Sequence, residues 1–252
     1  LSAITPAGQR LIAIAQQTVM SARNIKRAAL DLQDNQAGEM VIATTHTQAR
    51  YKLPTAIKQF IETYPHVKLN IHQGNPSQVT EQVANGEADI GIATEKINLD
   101  DKLLCLPAYE WNRCVVVPLG HHLIDSLPLT LAKIASYPLI TYDFAFTGSN
   151  IVSKVFHDAG VLPNVVLTAI DADVIKTYVG LGLGVGLIAN MAYDEIRDID
   201  LVRLDCSHLF PASTTYVGVR KDAFLRNYIY GFIEMLAPKY DQKTVDDALK
   251  AF

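Results

Sequence analysis

Segments with the pattern of strands and of helices alternate regularly from residue 39 onward, and this alternation limits the possible folds more than any other feature. Short runs of β-branched and aliphatic residues are each followed by a stretch with apolar residues at helical spacing. That order predicts parallel strands joined by right-handed helical crossovers. Because the alternation occurs twice, we predict an α/β fold with two Rossmann-like lobes of similar plan.

The expected elements divide into two groups along the chain. The first group predicts strands over 40–44, 67–71 and 88–93, with a helix over 49–64 and a second one capped by Ser77 and ended by Gly86. The second group predicts strands over 114–117, 139–142, 165–170 and 185–189, with helices over 151–160 and 173–181. A strand over 214–219 and a helix over 223–236 would complete the first lobe if the chain crosses back. The resulting division is 38–108 with 212–252 for the first lobe and 109–211 for the second.

Residues 1–37 differ from the rest and predict one long helix followed by a linker. Thr5 and Pro6 are a favourable start, with threonine as the cap and proline in the first turn. Small and apolar residues then recur at alternating steps of four and three, which is a heptad pattern. Its members are Leu11, Ala15, Thr18, Ala22, Ile25, Ala29 and Leu32. These residues form one stripe along the helix, the heptad seam. Two interpretations remain open: the heptad seam pairs with a partner chain, or the helix packs on its own domain.

Composition narrows the class of protein. A formal charge of −4 gives the chain no overall attraction for nucleic acid, so any DNA-reading part must be small or missing. Three widely spaced cysteines favour reduced thiols. The sequence shows no apolar segment typical of a membrane span or a leader peptide, and this favours the cytoplasm and no membrane partner.

Neutral hydrogen-bond donors follow the first predicted strand, in the segment 44–50. Strand ends in two α/β lobes face a common cleft, and Thr45, Thr94, Thr147 and Asp171 all lie at predicted strand ends. A strand that passes into a helix start at such an edge is suited to hold a small anion. We therefore expect an anion site in the cleft.

Several motifs resemble those of LysR-type transcriptional regulators, in particular the sulfur-assimilation branch of CysB and Cbl, with Cbl the nearer. They are Thr-Thr-His-Thr-Gln-Ala-Arg-Tyr over 44–51, Tyr-Glu-Trp-Asn-Arg over 109–113, Phe-Thr-Gly over 146–148 and Asp-Ala-Asp-Val-Ile-Lys-Thr-Tyr over 171–178. The segment 4–8 is similar to the end of the family's winged helix-turn-helix head, most of which this chain would lack.

This resemblance implies a transcription activator of sulfate or sulfonate assimilation genes, a homodimer or homotetramer joined through linker helices. Its lobes would have the type II periplasmic-binding-protein architecture and sense a small effector: adenosine phosphosulfate, sulfate, thiosulfate or an acetylated serine. No cofactor is implied. DNA would be bound through the missing head, with RNA polymerase as a further partner.

The resemblance also implies the site residues. The branch's anion contacts fall on Thr45, Thr47, Gln48, Thr94 and Thr147. CysB carries an arginine after the Phe-Thr-Gly motif, whereas this chain has Ser149, and that difference puts the identity of the ligand in doubt. Trp111, with Tyr142, Phe144 and Phe146, belongs either to the core or to a wall on which a base would stack.

The chemistry of these residues favours a sulfur oxyanion. Hydroxyls, an amide and backbone N–H groups donate hydrogen bonds without charge, which suits ionised sulfate better than monohydrogen phosphate, whose proton needs an acceptor. Asp171 would repel an anion held close to it. Two roles remain open for this residue: a cap of the following helix, or a contact with the ligand. The glycines over 180–186 predict a helix end and tight turn. His46, His121 and His122 lack ligand-spaced partners, so no metal site is expected.

Two other functions fit the same fold. A solute-binding protein for a sulfur oxyanion would use the same cleft but needs export, which the sequence does not favour. An enzyme is not expected, because the chain has no Gly-x-Ser-x-Gly or comparable nucleophile motif, and fold alone does not assign a reaction.

Overall fold

A computed structural model describes residues 4–33, 37–94, 100–146 and 150–251. Within these ranges the chain forms two five-stranded sheets with helices packed against them, preceded by one long helix. The prediction of an α/β fold with two lobes is therefore confirmed.

The elements are numbered in chain order. The helices are α1 (Pro6–Gln33), α2 (His46–Tyr51), α3 (Leu53–Thr63), α4 (Pro76–Ala84), α5 (Leu131–Ala135), α6 (Ile151–Asp158), α7 (Ala172–Gly180), α8 (Asn227–Leu236) and α9 (Gln242–Lys250). The strands are β1 (Ala37–Thr44), β2 (His66–Gln73), β3 (Ile90–Thr94), β4 (Leu103–Trp111), β5 (Arg113–Pro118), β6 (Leu139–Tyr142), β7 (Val165–Ala169), β8 (Val185–Ala189), β9 (Leu201–Asp205) and β10 (Ser213–Arg220).

The sheet of the first lobe has the order β2-β1-β3-β10-β4. β1 runs parallel to β2 and β3, as the βαβαβ pattern predicts, whereas β10 runs antiparallel to β3 and β4. The sequence pattern did not predict β4, which contains Pro107 and tolerates it because it is an edge strand. Thr215 pairs with Tyr109 and Tyr216 with Pro107, so Ala108 is left over as a β-bulge. Such a bulge bends the strand and redirects its side chains.

The sheet of the second lobe has the order β7-β6-β8-β5-β9. β6 is parallel to β7 and β8, and β5 is antiparallel to β8 and β9. In each lobe the strand that arrives from the other lobe, β5 or β10, is thus antiparallel to its neighbours. The expectation of parallel sheets is correct for the βαβ units and wrong for these crossing strands.

The chain passes between the lobes at Asn112 and returns over residues 206–212. The last predicted helix, now α8, packs in the core of the first lobe, where Phe232 meets Phe60 with ring centroids 5.6 Å apart. That helix therefore completes the first lobe, as expected. The predicted boundary at residue 109 falls within β4, which stays in the first sheet to Trp111; the division into domains remains a prediction.

Helix α1 begins where the sequence predicts. The Thr5 hydroxyl accepts a hydrogen bond from the Gly8 N–H at 3.1 Å. One face of the helix contacts the first lobe: Asn24 donates to the Asp222 carbonyl at 2.7 Å, and Arg27 pairs with Asp89. The described seam residues lie on the surface instead of against this lobe; they are Leu11, Ala15, Thr18, Ala22, Ile25 and Ala29. The side chain of Leu32 lies outside the described residues.

Within the described ranges, no helix combines the length and the apolar character needed to cross a bilayer.

The starts of two helices differ from expectation. The predicted helix over 49–64 is divided into α2 and α3, with Pro54 in the first turn of α3. Ser77 does not cap α4, because Pro76 occupies the first turn and moves the cap to Asn75. Asn75 accepts from the Gln78 N–H at 3.0 Å, and the Gln78 side chain accepts from the Asn75 N–H at 2.9 Å. This reciprocal pair is a capping box.

Replacing the cap should destabilise the first lobe. We expect Asn75→Ala to lower the free energy of unfolding by about 1 kcal/mol, because the N–H of Gln78 loses its partner. Urea denaturation measures this change. Ser77→Ala is the matched control and should cost less. A larger loss at Ser77 than at Asn75 would contradict the assigned cap.

Candidate functional site

The segment from Thr44 to Gln48 joins the end of β1 to the start of α2. Thr44 is fully buried and donates to the Ile92 carbonyl at 3.1 Å, so it ties β1 to β3. Thr45 is the N-cap of α2, yet its side chain makes no capping hydrogen bond. Its hydroxyl is therefore not used by the helix. Since α2 has only six residues, few peptide dipoles are aligned, and side-chain and backbone donors matter more here than the helix dipole.

Gln48 is the most buried polar side chain of this segment apart from Thr44, with an exposed fraction of 1%. Its amide nitrogen donates to the Thr215 hydroxyl at 3.2 Å, and its carbonyl oxygen accepts from the Tyr109 hydroxyl. Sequence patterns alone indicated neither Thr215 nor a role for Tyr109. Thr215 lies opposite Thr94 in the pairing of β10 with β3, so Thr94 belongs to the same edge of the sheet.

Trp111, a predicted site residue, also contacts Thr215. Its indole N–H donates to the Thr215 hydroxyl at 3.1 Å. The guanidinium carbon of Arg113 lies 5.0 Å from the centre of the indole ring, and Arg113 donates to the Ser213 hydroxyl at 2.9 Å. Trp111 therefore lies between Thr215, the partner of Gln48, and Arg113, which follows the first crossing between the lobes. Whether it also stacks on a ligand remains a prediction.

Thr47 faces the second lobe. Its hydroxyl lies 3.4 Å from that of Tyr142, which also accepts from the Ala189 N–H at 3.2 Å. Burial raises the pKa of Tyr142 to about 12, so its hydroxyl stays protonated. Tyr142 stacks on Phe144, with centroids 5.2 Å apart, and Phe146 packs against Phe156 at 6.0 Å. These contacts place the three aromatic rings at the second-lobe core, in agreement with the core interpretation.

Two predicted site residues, Thr147 and Ser149, lie outside the described residues. Their contribution from the second lobe stays a prediction. The first-lobe members are thus brought together at one edge of the sheet, while the part of Thr147 and Ser149 in the site rests on the sequence alone.

Asp171 caps α7: its carboxylate accepts from the Val174 N–H at 2.9 Å. The capping interpretation is confirmed. An open groove of about 550 Å³ runs between α2 and α7. Its lining residues include His46, Thr47, Gln73, Asp171 and Val174.

Asp173 connects the two lobes. Arg50 and Tyr51, at the end of α2, approach its carboxylate at 2.6 Å each. Burial, followed by the hydrogen bond to Asp173, raises the pKa of Tyr51, so the phenol remains a donor. One carboxylate of the second lobe therefore holds two consecutive residues of the first.

Lys176 extends this contact into the second lobe. Its ammonium donates to the Tyr51 hydroxyl at 3.1 Å, the Ala192 carbonyl at 2.8 Å and the Asp198 carboxylate at 2.8 Å. Burial lowers the pKa of Lys176, but its hydrogen bonds to Asp198 and Tyr51 outweigh that effect and the net pKa is raised. The side chain, only 8% exposed, is thus a charged and fully hydrogen-bonded group between the lobes.

The remaining candidates carry no reactive chemistry. Gly182 adopts a φ of 76° between α7 and β8, which fits the predicted tight turn. Burial raises the pKa of Cys114 to about 12, which disfavours its thiolate. Among the described residues, no three His, Cys, Asp or Glu side chains are grouped to hold a metal ion.

Removing the Lys176 ammonium should strongly destabilise the protein. Lys176→Met leaves the largely buried Asp198 carboxylate without its cation, and we expect a loss of about 3 kcal/mol or more in the free energy of unfolding. Lys68→Met is the control, because Lys68 pairs with Glu39 at 3.5 Å with a side chain 72% exposed, and should cost less than about 1 kcal/mol. Equal losses in thermal or urea denaturation would argue against the assigned role.

Comparison with known proteins identifies the family. Residues 33–241 match the LysR substrate binding domain. The chain is 48% identical to the HTH-type transcriptional regulator SsuR of Burkholderia cenocepacia, over 99% of this chain and 81% of that protein. It is 46% identical to the regulator CysB of Haemophilus influenzae, over 98% of this chain and 76% of that protein. These relatives are transcriptional regulators, not enzymes.

A solved structure supports the same assignment. The cofactor-binding domain of the Cbl transcriptional regulator superposes with a TM-score of 0.80 at 43% identity, covering 84% of this chain and 93% of that domain. The resemblance to the branch of CysB and Cbl is confirmed, although identities of 46% and 43% do not single out Cbl within it. The chain belongs to the LysR family of transcriptional regulators and contains its effector-binding domain.

Proposed function

We propose that this chain is the effector-sensing and oligomerisation part of an activator of sulfur assimilation genes. In this proposal a small sulfur-containing anion, such as sulfate or adenosine phosphosulfate, binds in the cleft between the lobes. The observation that carries the proposal is the cluster of uncharged donors around Gln48, in a chain whose relatives include SsuR, CysB and Cbl.

The first-lobe donors are uncharged, and this suits them to an anionic ligand. The Thr45 hydroxyl is not used as a helix cap. One N–H group of the Gln48 amide donates a hydrogen bond to Thr215, and the amide has a second N–H group. Thr94 lies opposite Thr215 on the neighbouring strand. Neutral donors stabilise an anion without a buried cation that would itself need a partner. Thr147 and Ser149 would add contacts from the second lobe.

The groove between α2 and α7 leaves room for a ligand larger than sulfate. Its rim carries Asp171 and Asp173 together with Arg50, so any group attached to the sulfate meets charges of both signs. Binding of a ligand to both lobes would favour their closed arrangement, because only a difference in affinity between two states can shift the equilibrium. The DNA-binding head and RNA polymerase would then receive the change through the oligomer.

Calorimetric titration with sulfate and with adenosine phosphosulfate tests the site. Each lost donor to a charged ligand should weaken binding about tenfold or more. We expect that loss for Thr45→Ala and for Thr147→Ala, one residue from each proposed half of the site.

Thr63→Ala serves as the control, because the Thr63 hydroxyl donates to the Gln59 carbonyl on the exposed side of α3. Its affinity for both ligands should equal that of the wild type. Unchanged affinity in both site variants would remove the proposed anion site.

Self-association through α1 is the second part of the proposal. Leu11 and Ile25 are 67% and 72% exposed, although both lie on the predicted heptad seam. The contacts of Asn24 and Arg27 with the first lobe use another face of the helix. A second α1 helix would cover the exposed seam, whereas a monomeric solute-binding protein would leave it open to water.

Charge on the seam should separate the subunits. We expect Ile25→Arg to shift the chain from dimer or tetramer toward smaller species in sedimentation velocity, because the arginines would meet across the helix pair. Ile61→Arg is the control, since Ile61 is also exposed, at 52%, but lies on α3. A monomeric wild type, or an unchanged oligomer in Ile25→Arg, would contradict pairing through α1.

A further inference from the structure

Gln48, Tyr109 and Thr215 form a closed ring of hydrogen bonds at the proposed anion site. The amide nitrogen of Gln48 donates to the Thr215 hydroxyl at 3.2 Å, and the Tyr109 hydroxyl donates to the Gln48 carbonyl oxygen. The ring closes because the hydroxyls of Thr215 and Tyr109 are themselves hydrogen-bonded. All three groups therefore have partners before any ligand arrives.

The backbone explains why residues far apart in sequence meet here. Tyr109 and Thr215 are paired across β4 and β10, directly beside the bulge at Ala108. Gln48 reaches them from α2, over sequence separations of 61 and 167 residues. Two side chains on a rigid sheet thus hold one side chain on a short helix.

Trp111 adds a further hydrogen bond to this ring. Its indole N–H donates to the same Thr215 oxygen, at 3.1 Å. A threonine oxygen has two lone pairs, so the bonds from Gln48 and Trp111 occupy both, and the Thr215 proton is directed to Tyr109. The fully buried Thr215 hydroxyl is therefore satisfied as donor and as acceptor.

Burial raises the pKa of Tyr109 well above its usual value. The phenol is consequently neutral near pH 7. A neutral phenol can donate to Gln48 and does not place a negative charge beside an anion.

We propose that Tyr109 and Thr215 are positioning residues of the anion site, which hold the Gln48 amide so that its second N–H is presented to the ligand. This inference rests on the proposed function. A free glutamine side chain would lose rotational freedom on binding, whereas the ring restricts it beforehand and so lowers the cost of binding. Neither residue needs to touch the ligand.

A double-mutant cycle separates this role from a general structural one. Sulfate affinity is measured by calorimetry for Tyr109→Phe and Thr215→Val, each in the wild-type background and in a Gln48→Leu background. In the wild-type background each substitution should weaken binding about fivefold, the effect of one hydrogen bond of about 1 kcal/mol. In the Gln48→Leu background the same substitutions should change the affinity less than about twofold.

Two variants serve as controls. Thr215→Ser keeps the hydroxyl and should retain most of the affinity lost in Thr215→Val. Tyr193→Phe removes a tyrosine hydroxyl that donates to the Leu201 carbonyl at 3.0 Å in the second lobe, and it should not change sulfate binding.

The possible outcomes are distinct. Losses that disappear without Gln48 support the inference. Equal losses in both backgrounds, or no loss in Tyr109→Phe and Thr215→Val, overturn it and leave the anion site standing. A wild-type chain that binds no sulfate at all overturns the proposed function and this inference together.

Discussion

The arrangement of the cleft follows from one constraint, that the buried amide of Gln48 must have hydrogen-bond partners. An unpaired buried amide is costly, on the order of 1–3 kcal/mol for each lost hydrogen bond. Tyr109 and Thr215 supply the partners, and both belong to strands at the point where the chain passes between the lobes. Satisfying this one side chain therefore fixes the start of α2 against β4 and β10.

Helix α2 connects the lobes at several points. Near its start, Thr47 approaches Tyr142 of the second lobe, and at its end Arg50 and Tyr51 contact Asp173. The crossing itself is held by Arg113, whose guanidinium packs over Trp111 and donates to Ser213. A ligand that displaces α2 would therefore change the interlobe contacts and the contacts with β4 and β10. In this way effector binding could alter the arrangement of the lobes.

Local sequence patterns predicted the elements that form by local rules. The βαβ units, the start of α1 at Pro6 and the cap of α7 at Asp171 agree with the structure. The edge strand β4 was missed because Pro107 interrupts its pattern, and a fully parallel sheet was wrong because the crossing strands enter in the opposite direction.

The candidate site was predictable only in part, because local patterns reveal only those site residues that lie close together in the sequence. Thr45, Thr47 and Gln48 are adjacent in sequence, so one segment shows them together. Thr215 has no local signal, because its importance comes from a pairing across 167 residues. Predicted strand ends and the family resemblance both supplied Thr94 and Thr147 as site residues, but no sequence pattern shows that Tyr109 and Thr215 support Gln48.

A crystal structure of the chain with selenate, a sulfate analogue whose selenium is located by anomalous scattering, tests whether Gln48 is part of an anion site between the lobes. We expect the selenium peak between the lobes, with oxygens within hydrogen-bond distance of Thr45 and the Gln48 amide nitrogen. A peak confined to the molecular surface, or a cleft in which the Gln48 amide has left Tyr109 and Thr215, would contradict it.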